Sequence, residues 1–415
     1  MILHDREELD FDDVMMLPLA SNKEAKSRDH VDLNRTFAKN PSRGYEWVGV
    51  PIIAANMDTV GTFEMAEALM EHNCCTAIHK HYGVDELITF FKLHEARDHL
   101  LFYTMGIGDK AMRKLMLFSR QHKMPRNICI DVANGYMPHF APFVTEVRKL
   151  APDSIIMAGN VTSGDHTQRL INAGASIVKV GIGSGSACTT RRMTGVGRPQ
   201  FSAIMDCARA AHAVNGLICS DGGCVHPGDI PKAIGAGADF VMLGGMLAGH
   251  DESGGKKITK SVPVMVDEYY SALPEFGDRH EIVYGKTYPK DATREVMVRQ
   301  VQDHTELPVK GGGNKIFQSV GKFKDEVVSV EFYGMSSDTA MEKHNGGVAN
   351  YKASEGRTLT LPYRGPVKST METILGGIRS NMMYIGAEEL KHVSKCAEFI
   401  KVRRQLNTSL TQYES

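Results

Sequence analysis

The chain has no excess of charge of either sign. Its 415 residues carry 48 Lys and Arg against 49 Asp and Glu, a formal net charge of −1. That balance leaves no electrostatic footprint for a nucleic acid or an anionic membrane surface. Long apolar runs are also missing. The most apolar stretch, FVMLGGMLAG at 240–249, is far too short to span a bilayer. The opening residues, MILHDREELDFDD, are acidic and lack the apolar core of a signal peptide. These absences predict a soluble, cytoplasmic protein whose partner is neither nucleic acid nor membrane.

Cysteine is present but its usual motifs are not. Eight cysteines occur without a C-x-x-C and without a Cys/His pair at metal-ligand spacing, which argues against zinc and against a disulfide framework. Cys74, Cys75, Cys129 and Cys219 sit in short apolar runs, where cysteine behaves as a small hydrophobe. Cys188 differs. It lies in GIGSGSACTTRRMTGVGRPQ at 181–200, among glycines and hydroxyls.

What the chain does have is a rhythm of short apolar runs, each closed by polar residues or glycine. The runs are VGVPIIAANMD (48–58), CCTAIHK (74–80), LLFYTMGIG (100–108), NICIDVANG (127–135), SIIMAGN (154–160), SIVKVGIG (176–183), GLICSDGG (216–223) and ADFVMLGG (238–245). Amphipathic segments separate them, for example 62–72, 85–97 and 138–150. An internal repeat reinforces the pattern: AGN at 158–160 leads to GD, a helical stretch, AGAS and VKVGIG. SDGG at 220–223 leads to GD, a helical stretch, AGAD and VMLGG. Eight such units predict an α/β fold of the (β/α)₈, or TIM, barrel class. A doubly wound open sheet is the alternative, disfavoured because no G-x-G-x-x-G opens a helix after the first run.

A barrel puts its chemistry at the carboxyl ends of its strands. Here those ends carry Asn56 and Asp58, His79 and Lys80, Asp131 and Asn134, Asn160, the Cys188 loop, Asp221, and Gly244 with Gly245. Two ends, DGG at 221–223 and LGG at 243–245, read as phosphate cradles, where glycine lets backbone N–H groups approach an anion. Asp221 stands where a ribose diol needs an acceptor. Cys188 reads either as a nucleophile or as a structural loop thiol, and nearby Arg191 and Arg192 would favour a thiolate. Carbonyls of the same loop offer a second possibility, a monovalent cation wrapped by Gly183, Gly185 and Cys188. A segment over 332–344 and 351–365 reads as a flap over the barrel mouth and contains an isolated Glu355.

Taken together, DFDDV (10–14), AANMDTVGTFEMA (54–66), AIHKHY (77–82), DVANGY (131–136), GSACTTR (185–191), SDGGC (220–224), LGGM (243–246), YGMSSD (333–338) and ASEG (353–356) resemble the GMP reductase family, sibling of the IMP dehydrogenases. The resemblance covers about residues 10–250 and 331–408. It implies conversion of GMP to IMP and ammonia with NADPH, in purine interconversion and salvage. Cys188 would attack purine C2, and Thr190 with Glu355 would relay the proton. GMP would meet Asp221, Gly222, Gly223, Gly244, Gly245, Gly334, Met335, Ser336, Lys352, Ala353, Ser354, Glu355 and Gly356. NADPH would meet Lys80, Asp131, Val132, Ala133, Ile182, Gly183, Met335, Tyr351 and Lys352. A neighbouring subunit of a homotetramer would add Ser27, Arg28, Ser380, Asn381, Met382 and Met383. Potassium would sit on Gly183, Gly185, Cys188 and Arg191.

Three departures from the family pattern stand out. Lys352 replaces a usual arginine and loses its bidentate fork. Arg198 replaces a usual tyrosine, as in the GRPQ of IMP dehydrogenases. Residues 251–330 are an insertion with strand- and helix-like pieces, PVMVDEYY, DATREVMVRQVQDH and DEVVSVEF, read as a small α+β subdomain. The expected organisation is therefore barrel strands over 1–250, an inserted subdomain over 251–330, and flap plus closing helices over 331–415. IMP dehydrogenase is the rival reading, and a non-catalytic purine-nucleotide sensor is a third. The short connection from the second to the third run leaves no room for the dehydrogenases' regulatory domain, and the flap carries ASEG rather than an Arg-Tyr pair. Both point to the reductase.

Overall fold

The computed structural model describes residues 3–19, 27–37, 46–264, 270–272, 297–298, 304–308, 314–319, 322–347 and 353–402. The eight apolar runs form eight strands: β1 (Trp47–Ala54), β2 (Cys74–Ile78), β3 (Leu101–Met105), β4 (Asn127–Asp131), β5 (Ile155–Val161), β6 (Ile177–Val180), β7 (Leu217–Asp221) and β8 (Phe240–Leu243). Each pairs in parallel with the next, and β8 closes on β1 with Val241, Met242 and Leu243 opposite Ile52, Ile53 and Ala54. The expected TIM barrel is therefore present. Its strands read as nearly unbroken apolar runs because a parallel strand is covered on both faces, by helices outside and side chains within.

The covering helices in chain order are α1 (Phe63–Met70), α2 (Val84–Leu93), α3 (Asp109–Gln121), α4 (Phe140–Leu150) and α5 (Gly164–Asn172). After them come the short α6 (Thr190–Thr194), then α7 (Gln200–Ala213) and α8 (Asp229–Gly235). Helix α1 shows why they form where they do. Thr62 caps it, its hydroxyl accepting from Met65 N–H at 3.1 Å, and Met65, Ala66, Leu69 and Met70 make the stripe buried on the barrel. The helix that follows β8 comes late. After α9 (Asp338–Asn345), helix α10 (Lys368–Tyr384) buries Met371, Ile374, Leu375, Ile378 and Met382 and packs on α8. Burial of side chains of this size stabilises the fold by about 2 kcal/mol each.

The amino-terminal end of the barrel is plugged. A short strand, Arg35–Phe37, lies antiparallel on β1, and Phe37, Trp47 and Phe240 meet there with ring centroids 4.8–5.8 Å apart. The opposite, carboxyl end stays open for function.

The chain divides into two compact units, Met1–Lys256 with Glu331–Ser415, and Lys257–Val330. In the second, a strand over Lys257–Val264 pairs antiparallel with Lys322–Val330, and a separate sheet joins Tyr270–Ala272, Asn314–Ser319 and His304–Pro308. All its elements among the described residues are strands. Most of DATREVMVRQVQDH lies outside them. No helix among the described residues is long and apolar enough to cross a membrane.

Candidate active site

A cavity of about 590 Å³ opens at the carboxyl ends of the strands, within the size range of small-molecule sites. Cys188, Thr190 and Glu355 all line it. The loop after β6 presents the thiol, and the flap supplies the carboxylate. The thiol of Cys188 donates to Thr190 Oγ1 at 3.1 Å, and the Thr190 hydroxyl donates to Glu355 Oε2 at 2.9 Å. A thiol is thus connected through one hydroxyl to a carboxylate, an arrangement of the kind that nucleophilic and acid–base chemistry uses. The backbone holds the two segments together. Thr189 N–H donates to the Glu355 carbonyl at 2.8 Å, Arg357 N–H donates to the Ala187 carbonyl at 2.9 Å, and Cys188 bridges Gly356.

Arg191 does a different job from the one its position after Cys188 suggests. Arg191 turns away from the thiol, donating to Asp10 at 2.9 Å and to the Arg198 carbonyl at 2.6 Å. Arg198 forks onto Glu8 at 2.9 and 3.0 Å and reaches Asp206 at 2.7 Å. The N-terminal segment thereby straps the cysteine loop to the barrel. Arg198 is a tether of this loop and is not among the residues lining the cavity, so its identity carries little weight in separating reductase from dehydrogenase.

Below the thiol sits a buried charge that the sequence reading missed. Lys179, in β6 and only 3 % exposed, lies 2.6 Å from Asp131, 2.8 Å from Asp221 and 3.4 Å from Asn56. Burial opposes its charge, but Asp131 and Asp221 outweigh that and hold its pKa well above the ordinary lysine value. Burial likewise opposes ionisation of Asp131, and Lys179 and Lys80 outweigh it, so the carboxyl stays below its usual range. Asn160 Nδ2 donates to the same Asp221 oxygen at 2.9 Å. The available signal was one lysine inside the apolar run SIVKVGIG.

The DGG turn has a backbone conformation that suits glycine. Gly222 and Gly223 have φ of +87° and +89°, a region that favours glycine. A Cβ on Gly222 would also stand 2.8 Å from Ser184 Oγ and 3.0 Å from Gly185 N.

The cavity gathers many of the residues named from sequence. Asp221, Gly222, Gly223, Gly244, Gly245, Gly334, Met335, Ser336 and Glu355 line it, with Lys80, Asp131, Val132, Ala133, Ile182, Gly183 and Gly185. Ala353, Ser354 and Gly356 flank Glu355 without lining it, Ser354 Oγ donating to the Gly356 carbonyl at 2.9 Å. Ser27, Arg28 and Ser380–Met383 lie elsewhere. The single helical turn Arg28–His30 packs on α10, which carries 380–383, and Met382 is fully buried there. Tyr351 and Lys352 lie outside the described residues.

Fold and site together define a (β/α)₈-barrel enzyme whose cavity is lined by a thiol from the loop after its sixth strand. The sequence profile of the IMP dehydrogenase / GMP reductase domain matches residues 8–270 and 317–409, and the chain belongs to that family. Among its relatives, a protein named GMP reductase from Phytophthora infestans is 45% identical over 399 residues, covering 96% of this chain and 92% of its own. GMP reductase of Caenorhabditis elegans is 44% identical over 407 residues, with 98% and 95% covered. Human GMP reductase 2 is 44% identical over 401 residues, with 96% and 95% covered. The family profile leaves 271–316 unmatched.

Proposed function

We propose that this chain is a GMP reductase, which converts GMP to IMP and ammonia in purine salvage. The observation that carries the reading is the thiol–hydroxyl–carboxylate chain of Cys188, Thr190 and Glu355. Attack of the Cys188 sulfur on purine C2 breaks the bond to the exocyclic amine. Glu355, working through Thr190, delivers the proton that lets ammonia leave, and a thioimidate remains on Cys188. NADPH, when bound, supplies the hydride that C2 accepts as the sulfur departs with its electron pair, giving IMP.

Other residues hold the reactants. Gly222, Gly223, Gly244 and Gly245 offer backbone N–H groups to the phosphate, and Asp221 accepts from the ribose hydroxyls. Gly334, Met335, Ser336, Lys352, Ala353, Ser354 and Gly356 close over GMP. Lys80, Asp131, Val132, Ala133, Ile182, Gly183 and Met335 receive the nicotinamide half of NADPH, with Tyr351 and Lys352. Lys80, Asp131, Val132, Ala133, Ile182, Gly183 and Met335 line the same cavity as Cys188, which supports this. Ser27, Arg28, Ser380, Asn381, Met382 and Met383 serve the cofactor of a neighbouring subunit in a tetramer, which fits their clustering away from this cavity. Carbonyls of Gly183, Gly185, Cys188 and Arg191 form an all-oxygen donor set suited to K⁺ rather than to a transition metal. The protein acts in the cytoplasm.

IMP dehydrogenase is the alternative. It is disfavoured by the ASEG flap, which brings a carboxylate to the thiol, and by the absence of an inserted domain between β2 and β3. Absorbance at the nicotinamide band decides between them. With K⁺ present, one cuvette receives GMP with NADPH and the other IMP with NAD. Loss of NADPH with release of ammonia supports the reductase; formation of NADH from IMP overturns it.

A further inference from the structure

Asp58 follows β1 and is 4 % exposed. A single oxygen of its carboxylate, Oδ2, collects three donors from the flap. Tyr333 Oη donates at 2.6 Å, Lys343 Nζ at 2.9 Å, and His344 Nε2 lies at 2.7 Å. The other oxygen, Oδ1, is buried without a partner. Tyr333 begins the flap, immediately before Gly334, Met335 and Ser336. Lys343 and His344 close the last turn of α9. One buried carboxylate therefore ties down both the start of the flap and the far end of its helix.

The same anchor reaches the cavity wall. The His344 ring stacks on His81 with centroids 3.4 Å apart, and the His81 N–H donates to His79 Nδ1 at 3.2 Å. His79 stacks in turn on Tyr82 at 4.0 Å. Between His79 and His81 lies Lys80, which lines the cavity. Burial opposes ionisation of Asp58, but hydrogen bonds from Tyr333, Lys343 and His344 outweigh it and hold the carboxyl below its usual range. Downstream of α9 the chain returns to the cysteine loop, where Glu355 accepts from Thr190 and Gly356 bridges Cys188. The flap is thus held at two places, and only the second contains the reacting groups.

We propose that Asp58 is a positioning residue for the flap. By gathering Tyr333, Lys343 and His344 it seats α9 on the barrel and so sets Glu355 at hydrogen-bond distance from Thr190. The role assigned to Glu355 rests on the proposed reductase reading; the seating of the flap does not.

The experiment compares the full-length protein with Asp58→Asn, which keeps the side chain's shape and removes its charge. Two measurements are made: amide hydrogen exchange and steady-state kinetics with GMP and NADPH. Exchange is expected to accelerate at the seam, in peptides containing Thr189 and Arg357, and to stay unchanged in β3, β4 and β5. Displacement of the acid by about an ångström costs on the order of 100-fold in rate, so kcat falls by that order. KM for GMP changes much less, because the glycine cradles of the barrel still hold the nucleotide. His344→Gln retains an N–H donor and should keep most of the activity, whereas His344→Leu should follow Asp58→Asn. If Asp58→Asn does not fold, Tyr333→Phe and His344→Leu are judged by the same seam. Unchanged exchange at the seam overturns the proposal, as does acceleration spread equally through the barrel strands. The exchange result stands even if GMP proves not to be the substrate.

Discussion

Thr190 and Glu355 are 165 residues apart in the chain, yet the hydroxyl of one donates to the carboxylate of the other at 2.9 Å. The Cys188 thiol lies 3.1 Å from the same hydroxyl. The loop after β6 and the flap are thus joined by one hydrogen-bonded chain. Its members differ in what they contribute, and substitutions should separate them.

Cys188→Ser keeps the side chain's size and removes the thiol proposed as nucleophile. Turnover of GMP is expected to fall below detection, while GMP still binds with little change in affinity by calorimetry. Turnover near that of the parent protein would rule out a covalent step at this residue.

Glu355→Gln retains a group that can hydrogen-bond to Thr190 but cannot take or give the proton. Loss of a positioned acid–base group costs about 10²- to 10⁴-fold, so ammonia release should slow by that order. Hydride transfer should suffer less, which single-turnover absorbance can resolve. NADPH oxidation with GMP at the full rate would refute the relay.

Lys179→Met should destabilise the protein by about 3–5 kcal/mol, because the half-buried Asp131 and Asp221 would then face each other without their shared buried cation. Denaturant unfolding measures this. Lys179→Arg should lose less. Equal stability of the methionine variant and the parent would mean that Lys179 is not needed to hold the two carboxylates together.

Glycine at 356 and 334 lets the flap close. A Cβ at Gly356 would stand 2.8 Å from Ser337 N, and one at Gly334 2.9 Å from Ala187 O, in each case against backbone. Gly356→Ala should therefore lower kcat by roughly tenfold or more through misplacement of Glu355. The thermal midpoint should hardly move, since the barrel core is untouched. Full activity would show that the flap tolerates the shift.

His79 should make the fold sensitive to acid. Burial pushes its ring down to about 3 from an ordinary value of 6.5. In the unfolded chain the ring binds a proton near its ordinary pKa; in the folded chain it stays neutral. Its contribution to stability is therefore complete above about pH 6.5 and is lost as pH falls toward 3. The slope from this one group reaches about 1.4 kcal/mol per pH unit. His79→Phe, which retains an aromatic face toward Tyr82, should flatten the decline. An equal slope in both proteins would place the acid sensitivity elsewhere.

The family profile passes over 271–316, and the inserted stretch is where sequence reading was weakest. PVMVDEYY and DEVVSVEF read as ordinary strand patterns, and the described residues there are strands. Nothing in that stretch carries a motif, so its chemistry had no local signature to read.

Much of the fold was written locally. A parallel strand buried on both faces must be apolar along its length, so runs such as NICIDVANG and GLICSDGG announced β4 and β7 and their polar ends without reference to anything distant. The glycine cradles were equally local, since positive φ at Gly222 and Gly223 is a demand on the residue itself. Cys188 stood out for its neighbours, while Thr190 and Glu355 were joined to it only through the family resemblance. Which polar side chains meet depends on closure of β8 onto β1 and on the strand register, and neither is a property of any one segment. Only the closed barrel put Lys179 between Asp131 and Asp221, turned Arg191 toward Asp10 instead of the thiol, and brought three flap donors to Asp58. Sequence determined the elements because backbone burial is decided residue by residue. Tertiary structure decided the pairings because a charge buried at a strand end is stabilised by whatever the other strands place within a few ångströms of it.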